Sequence, residues 1–217
     1  MDRRQLIDSF IKNAESGIGL KLLVDVVGLP LNQASVQRYQ QTFQHSERVE
    51  TLIAGARTSA SRNAGSYDKW YGGHWVLSIL ADFPYPKGDE RLLPLRGQQL
   101  DWLFGKRHQE MISKLVVNGR QRRCASQEGY ALFSHLRLGI ANERVHDLAE
   151  ELVRWQWPDG GWNCDKNPET HVSSFTESLI PLRGLITYNQ AYDNSGAQDA
   201  ARKAAEFFLR RRLLWRE

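Results

Sequence analysis

Cys124, Cys164, Asp165 and His171 are the side chains whose types suit a metal, because thiolate, carboxylate and imidazole are the donors that tetrahedral zinc takes. Cys124 stands just before an apolar periodic stretch at 128–139, and the other three stand just before the next, at 177–188. Both sets therefore fall at the same end of neighbouring elements, and zinc is the candidate cofactor. The two cysteines can instead pair in a disulfide or sit as inert buried thiols. Glu128 and Glu177 are the candidate catalytic acids: aligning the stretches puts both at a helix start, where two carboxylates in an apolar mouth can share a proton or a metal. An acid in a first turn is also favoured by the helix dipole alone. His74 falls on the same rim and can join them or be a structural histidine. With His74, the aromatics Trp70, Tyr71, Trp75, Tyr130, Phe133 and Phe175 make a candidate ligand cavity, since ring faces stabilise cations and apolar chains. Aromatics at helical spacing also build plain core.

The elements that must position these residues repeat. Residues 72–83 (GGHWVLSILADF), 128–139 (EGYALFSHLRLG) and 177–188 (ESLIPLRGLITY) align so that Trp75, Ala131 and Ile180 coincide, as do Leu80, Leu136 and Leu185. Each is followed by a polar turn and a second periodic stretch, at 89–104, 143–157 and 197–212. The unit is a helix pair of about 50 residues. The first member is apolar round most of its circumference and the second is charged on one face, which predicts an inner and an outer ring. Helices are also expected at 3–13 and at 18–27, the latter stopped by Gly28 and Pro30. A weakly amphipathic helix at 33–43 and a short one from Ser46, running out in the polar stretch 55–66, complete an N-terminal segment over 1–60. The repeats occupy 61–217. Between 105 and 123, VVNGR predicts a tight turn at Asn118 and Gly119, in a short hairpin or a long loop.

Residues 155–176 (WQWPDGGWNCDKNPETHVSSFT) join the second pair to the third. Pro158, Asp159, Gly160 and Gly161 are turn formers set among Trp155, Trp157 and Trp162, so this is a structured corner, with Gln156 expected to bond free N–H groups at a nearby helix start. Spelled Gln156, Asp159, Gly160, Gly161, Trp162, it resembles the glutamine and tryptophan repeat of squalene and oxidosqualene cyclases and the GGW turns of protein prenyltransferase β subunits. KWYGGHW, RRCASQEGYALF and SSFTESLIPLRGL extend the resemblance from about Tyr67 to the C-terminus. It implies an all-α fold of the α/α-toroid type. Three clear pairs and two weaker ones are too few for a closed ring, which implies a partial α/α barrel or a truncated member. The prenyltransferase branch holds catalytic zinc with an Asp, a Cys and a His at a toroid rim, in a spacing that Cys124, Cys164, Asp165 and His171 do not reproduce.

The acid motifs of terpene chemistry, DxDD for alkene protonation and DDxxD for magnesium diphosphate, are missing from the sequence. The functional expectation is an apolar cavity acting on an isoprenoid or other lipid. The alternative is a non-catalytic helical-repeat scaffold that binds a lipid or a protein partner. A net charge of +4, from 29 basic against 25 acidic residues, is too small to argue for nucleic acid, and no nucleic-acid signature accompanies it. The tail FFLRRRLLWRE can rest on an anionic membrane surface, although arginines in a last turn also suit the helix dipole. No apolar run approaches the roughly 18 residues of a membrane span, and the start lacks the apolar core of a secretion signal. With only two cysteines, the expected location is cytoplasmic.

Overall fold

Asp2 and Gln5 form a capping box that starts α1 (Arg3–Asn13), the Asp2 carboxylate accepting from the Gln5 N–H at 2.8 Å. In this computed structural model, which describes residues 2–61 and 65–213, the remaining helices follow the apolar periodicity closely. They are α2 (Ser16–Lys21), which continues as a π turn over Leu22–Val26, α3 (Ala34–Gln44), α4 (Glu47–Ser61), α5 (Gly73–Ala81) and α6 (Leu93–Leu103). Then come α7 (Lys106–Ser113), a hairpin of β1 (Val116–Val117) and β2 (Arg120–Gln121), α8 (Ser126–Arg137), α9 (Arg144–Trp155), α10 (Phe175–Tyr192) and α11 (Ser195–Arg210). The described residues are all-α apart from that hairpin.

Two local expectations are refined. The helix from Glu47 carries on into the polar stretch as far as Ser61, with Ile53 and Ala56 burying one of its faces. Residues 62–64 lie outside the described set. The 105–123 connection does contain the hairpin, with Asn118 and Gly119 both at positive φ, 50° and 70°. It also contains α7, which buries His108 and Ile112 and went unread because its apolar face is only two residues wide.

The three pairs are α5 with α6, α8 with α9, and α10 with α11, and the first members also pack on one another, α5 on α8 and α8 on α10. Burial explains the layering. Helix α8 buries Gln127, Glu128, Gly129, Ala131, Leu132, Phe133, Ser134 and His135, a set that surrounds its axis. Helix α9 buries Val145, Leu148, Ala149, Leu152 and Trp155, a single stripe. The α8 to α10 contact is close because a Cβ on Gly129 would lie 2.7 Å from the Pro181 nitrogen, and one on Gly184 would lie 2.9 Å from the Gly129 carbonyl. The N-terminal helices add their own core, in which Leu20, Val36, Phe43, Val49 and Ile53 pack on Val76, Leu77 and Leu80.

The corner after α9 is held by Trp162, 1% exposed, whose indole N–H donates to the Leu152 carbonyl at 2.9 Å. Gly160 sits at φ 99°, and any Cβ there would come within 2.4 Å of the Lys203 carbonyl on α11. Gln156 works in the opposite sense to that expected: its side-chain amide donates to carbonyls, those of Gly160 and Ala200, each at 2.8 Å. It therefore ties the corner to the middle of α11 rather than capping a helix start.

Candidate functional site

Cys124 lies two residues before α8, and Cys164 lies in the loop that leads to α10. An antiparallel bridge between Trp162 and Ser174, with the Ser174 N–H donating to the Trp162 carbonyl at 2.8 Å, pinches that loop at its base. Cys164 is thereby held over the first turn of α10, where Ser174 caps the helix by accepting from the Glu177 N–H. The result is a cluster of Cys124, Cys164 and Glu177, all half-buried, with one donor atom of each within 4.8 Å of the others. One oxygen of Glu177 accepts from the backbone N–H of Ser126 at 3.1 Å, and the other faces the Cys164 sulfur at 3.7 Å. The two thiols titrate as a pair. Hydrogen bonding from Cys164 lowers the Cys124 pKa, whereas the same bond, then burial and the Glu177 charge, push Cys164 up.

Asp165 and His171 are not part of this cluster, which corrects the expected four-residue metal set. Asp165 is exposed; it accepts from the Thr170 hydroxyl at 2.6 Å and the Asn167 N–H at 3.0 Å, bonds that hold its carboxyl below the ordinary range. His171 is exposed and its Nδ1 lies 3.2 Å from the Arg120 guanidinium. The physical reason is the loop itself. Asn163, Asp165 and Asn167 each accept from the N–H two residues on, so the loop turns back on itself and directs Asp165 inward to its own backbone. Arg122, 1% exposed and 4.5 Å over the Trp157 ring, then clamps it by donating to the Asp165 and Thr170 carbonyls.

Glu128 and Glu177 have separate partners. Glu128 is 1% exposed and receives Arg123 Nη2 at 2.6 Å and Nε at 3.0 Å on one oxygen, while its other oxygen has no hydrogen-bond partner. His108 Nε2 lies 2.8 Å from Arg123 Nη2 and 3.9 Å from the same Glu128 oxygen. Glu151, on α9, feels this buried charge: burial first and Glu128 second raise its pKa to about 7. His74 is 1% exposed and takes a hydrogen bond at its Nδ1 from Gln99, 2.9 Å away, whose carbonyl accepts from His135 Nε2 at 2.9 Å. Burial lowers His74 to about 4 and His135 to about 3, so both rings are neutral in this chain of bonds.

Trp75, Tyr130 and Phe175 line one cleft of about 950 Å³, together with Tyr67, Leu179 and Phe208. Trp70, 57% exposed, packs edge-on against Trp75 at 4.4 Å and extends the rim, and Tyr71 is exposed beside it in sequence. Phe133 belongs elsewhere: it is buried under the Arg183 guanidinium, 4.1 Å from its ring centroid, at a separate polar recess. Leu209 and Leu213, from the tail expected to touch a membrane, lie on the cleft wall and are largely exposed; residues 214–217 lie outside the described set. No described helix is long and apolar enough to cross a membrane. Sequence reasoning does not find Arg122 and Arg123, which enter it only through the net charge, and nothing in their spacing from Glu128 signals a pair. No family model matches the chain, and no curated protein or solved structure matches it either.

Proposed function

We propose that this chain is an arc of an α/α toroid, resembling the squalene-cyclase and prenyltransferase repeat proteins, and that it binds an isoprenoid or similar lipid chain in the cleft along α8, α10 and α11. The cleft carries the reading: its walls are Tyr67, Trp75, Tyr130, Phe175, Leu179 and Phe208, and its volume of about 950 Å³ suits a chain of that size. At about 0.8 kcal/mol per buried methylene, ten carbons would supply roughly 8 kcal/mol before the losses of association. The toroid is supported by the packing order, with α5, α8 and α10 side by side and each backed by its own second helix. Glu128 does not support proton-initiated cyclisation, because it is buried against Arg123 and is not among the residues that line the cleft. Binding, or transfer to a bound chain, is the better reading.

Titrating the protein with farnesol, farnesyl diphosphate and squalene while following tryptophan fluorescence tests this, since Trp75 lies on the cleft wall. Saturable binding of at least one is expected, weakened about tenfold or more in Leu179→Asp, which puts a charge where the chain would lie. Leu179 is 48% exposed, so the variant should fold. Absence of saturable binding for all three, or equal affinity in Leu179→Asp, overturns the proposal.

A further inference from the structure

We infer that Cys124, Cys164 and Glu177 form a zinc site with three protein donors and one open coordination position, set at the edge of the apolar cleft. The geometry suits it. Zn–S bonds of about 2.3 Å and Zn–O bonds of about 2.1 Å place tetrahedral donors roughly 3.6 to 3.8 Å apart. Here the Cys164 sulfur and the Glu177 oxygen are 3.7 Å apart, and all three donors lie within 4.8 Å. Each donor is also oriented from behind. Glu177 is fixed by the Ser126 N–H on its second oxygen, as ligand carboxylates are in metal sites. Cys164 is held by the bridge between Trp162 and Ser174, and the Cys124 backbone is tied to the start of α8, its carbonyl accepting from the Gln127 N–H at 3.0 Å.

The chemistry selects the ion. Two thiolates with one carboxylate favour zinc over magnesium or calcium, which take oxygen donors. Three protein ligands and a free position are the pattern of zinc sites that act on a bound molecule, whereas purely structural sites are closed by a fourth side chain. Glu177 and Ser126 both line the cleft, so the free position adjoins it, within reach of an oxygen or sulfur head group on a molecule lying there. This inference stands apart from the lipid reading, because metal uptake is read without any cleft ligand.

Cobalt(II) added to the reduced protein provides the test, since thiolate ligation gives a charge-transfer band that carboxylate ligation alone does not. About one equivalent is expected to develop the band, and zinc should bleach it. Cys124→Ser and Cys164→Ser should each weaken the band and the zinc affinity. Glu177→Gln should keep the band but lose zinc affinity by at least the roughly 10- to 100-fold that removal of an outer-shell partner costs. Asp165→Asn and His171→Gln, outside the cluster, should bind as the parent does, and circular dichroism checks that every variant folds. No band in the reduced protein overturns the inference. So does a band unchanged in folded Cys164→Ser, or one abolished by Asp165→Asn or His171→Gln.

Discussion

Glu128 and Glu177 occupy the same register position in consecutive helix pairs, each in the first turn of its pair's first helix, yet their surroundings are opposite. Glu128 is sealed in and neutralised by Arg123, whereas Glu177 is half-buried against two thiols and opens on the cleft. The third equivalent helix start, that of α5, has no carboxylate and instead buries neutral His74. The repeat fixes where a side chain is presented, and the segment preceding each helix decides what it meets. Before α8 that segment supplies Arg123; before α10 it is a pinched loop that supplies Cys164. The same scaffold thereby yields a structural ion pair at one seam and a group of free donor atoms at the next.

The sharpest way to break this comparison is to remove the neutralising partner. Arg123→Met leaves a carboxylate 1% exposed without its cation and should cost about 3 to 5 kcal/mol in urea unfolding. Glu177→Gln keeps the acceptor for the Ser126 N–H and should cost less than about 1 kcal/mol. The double variant Arg123→Met with Glu128→Gln should recover much of the first loss, because the uncompensated charge is gone. If Arg123→Met costs no more than Glu177→Gln, the two carboxylates are not held differently and the comparison fails.

How much of this was legible in the sequence depends on whether the signal was periodic. The helix pairs were readable because burial on one or several faces leaves a repeat of apolar residues, and the hairpin because Asn118 and Gly119 accept positive φ. The register places Cys124 and Glu177 at the same end of neighbouring helices, but on its own it groups Glu177 with Glu128 rather than with the thiols. The exclusion of Asp165 and His171 does not follow, because it depends on hydrogen bonds within one loop and on the buried guanidinium of Arg122. Arg123 was unreadable for a related reason. An arginine in a basic run looks solvated, and only the position of β2 and α7 turns it inward to Glu128 and His108.

The start of α5 adds a second contrast, between a neutral seam and a charged one. His74 and His135 have folded pKa values lowered to about 4 and about 3 by burial, against about 6.5 in the unfolded chain. The unfolded state therefore binds protons below pH 6.5 that the folded state refuses. Their contribution is whole above pH 6.5 and is lost as pH falls toward 4 and then 3. A loss of roughly 2 to 3 kcal/mol for each ring between pH 6.5 and 4 is expected from denaturant midpoints, beginning above the range where ordinary carboxylates titrate. A flat profile between pH 6.5 and 5 would mean that these rings accept protons in the folded state, and the neutral seam would be wrongly drawn.

Glu151 should show the smallest effect and the opposite sign. Its side chain is 13% exposed, burial and the Glu128 charge raise its pKa to about 7, and Arg154, 3.7 Å away, and Arg123 pull weakly the other way. An acid whose folded pKa exceeds its unfolded value of about 4.5 is bound to its proton more tightly in the folded state. Its cost is therefore absent below pH 4.5, grows as pH rises to 7, and is constant above that. Glutamine mimics the protonated form, so Glu151→Gln should melt like the parent at pH 4.5 and be more stable by about 1 to 2 kcal/mol at pH 8, the loss of the Arg154 pair offsetting part of the gain. Because Glu128 supplies part of the shift, the gain should shrink when Glu128→Gln is present in the background. A Glu151→Gln protein that is no more stable than the parent at pH 8, or that gains as much with Glu128 neutralised, would show that no buried charge at the start of α8 reaches α9.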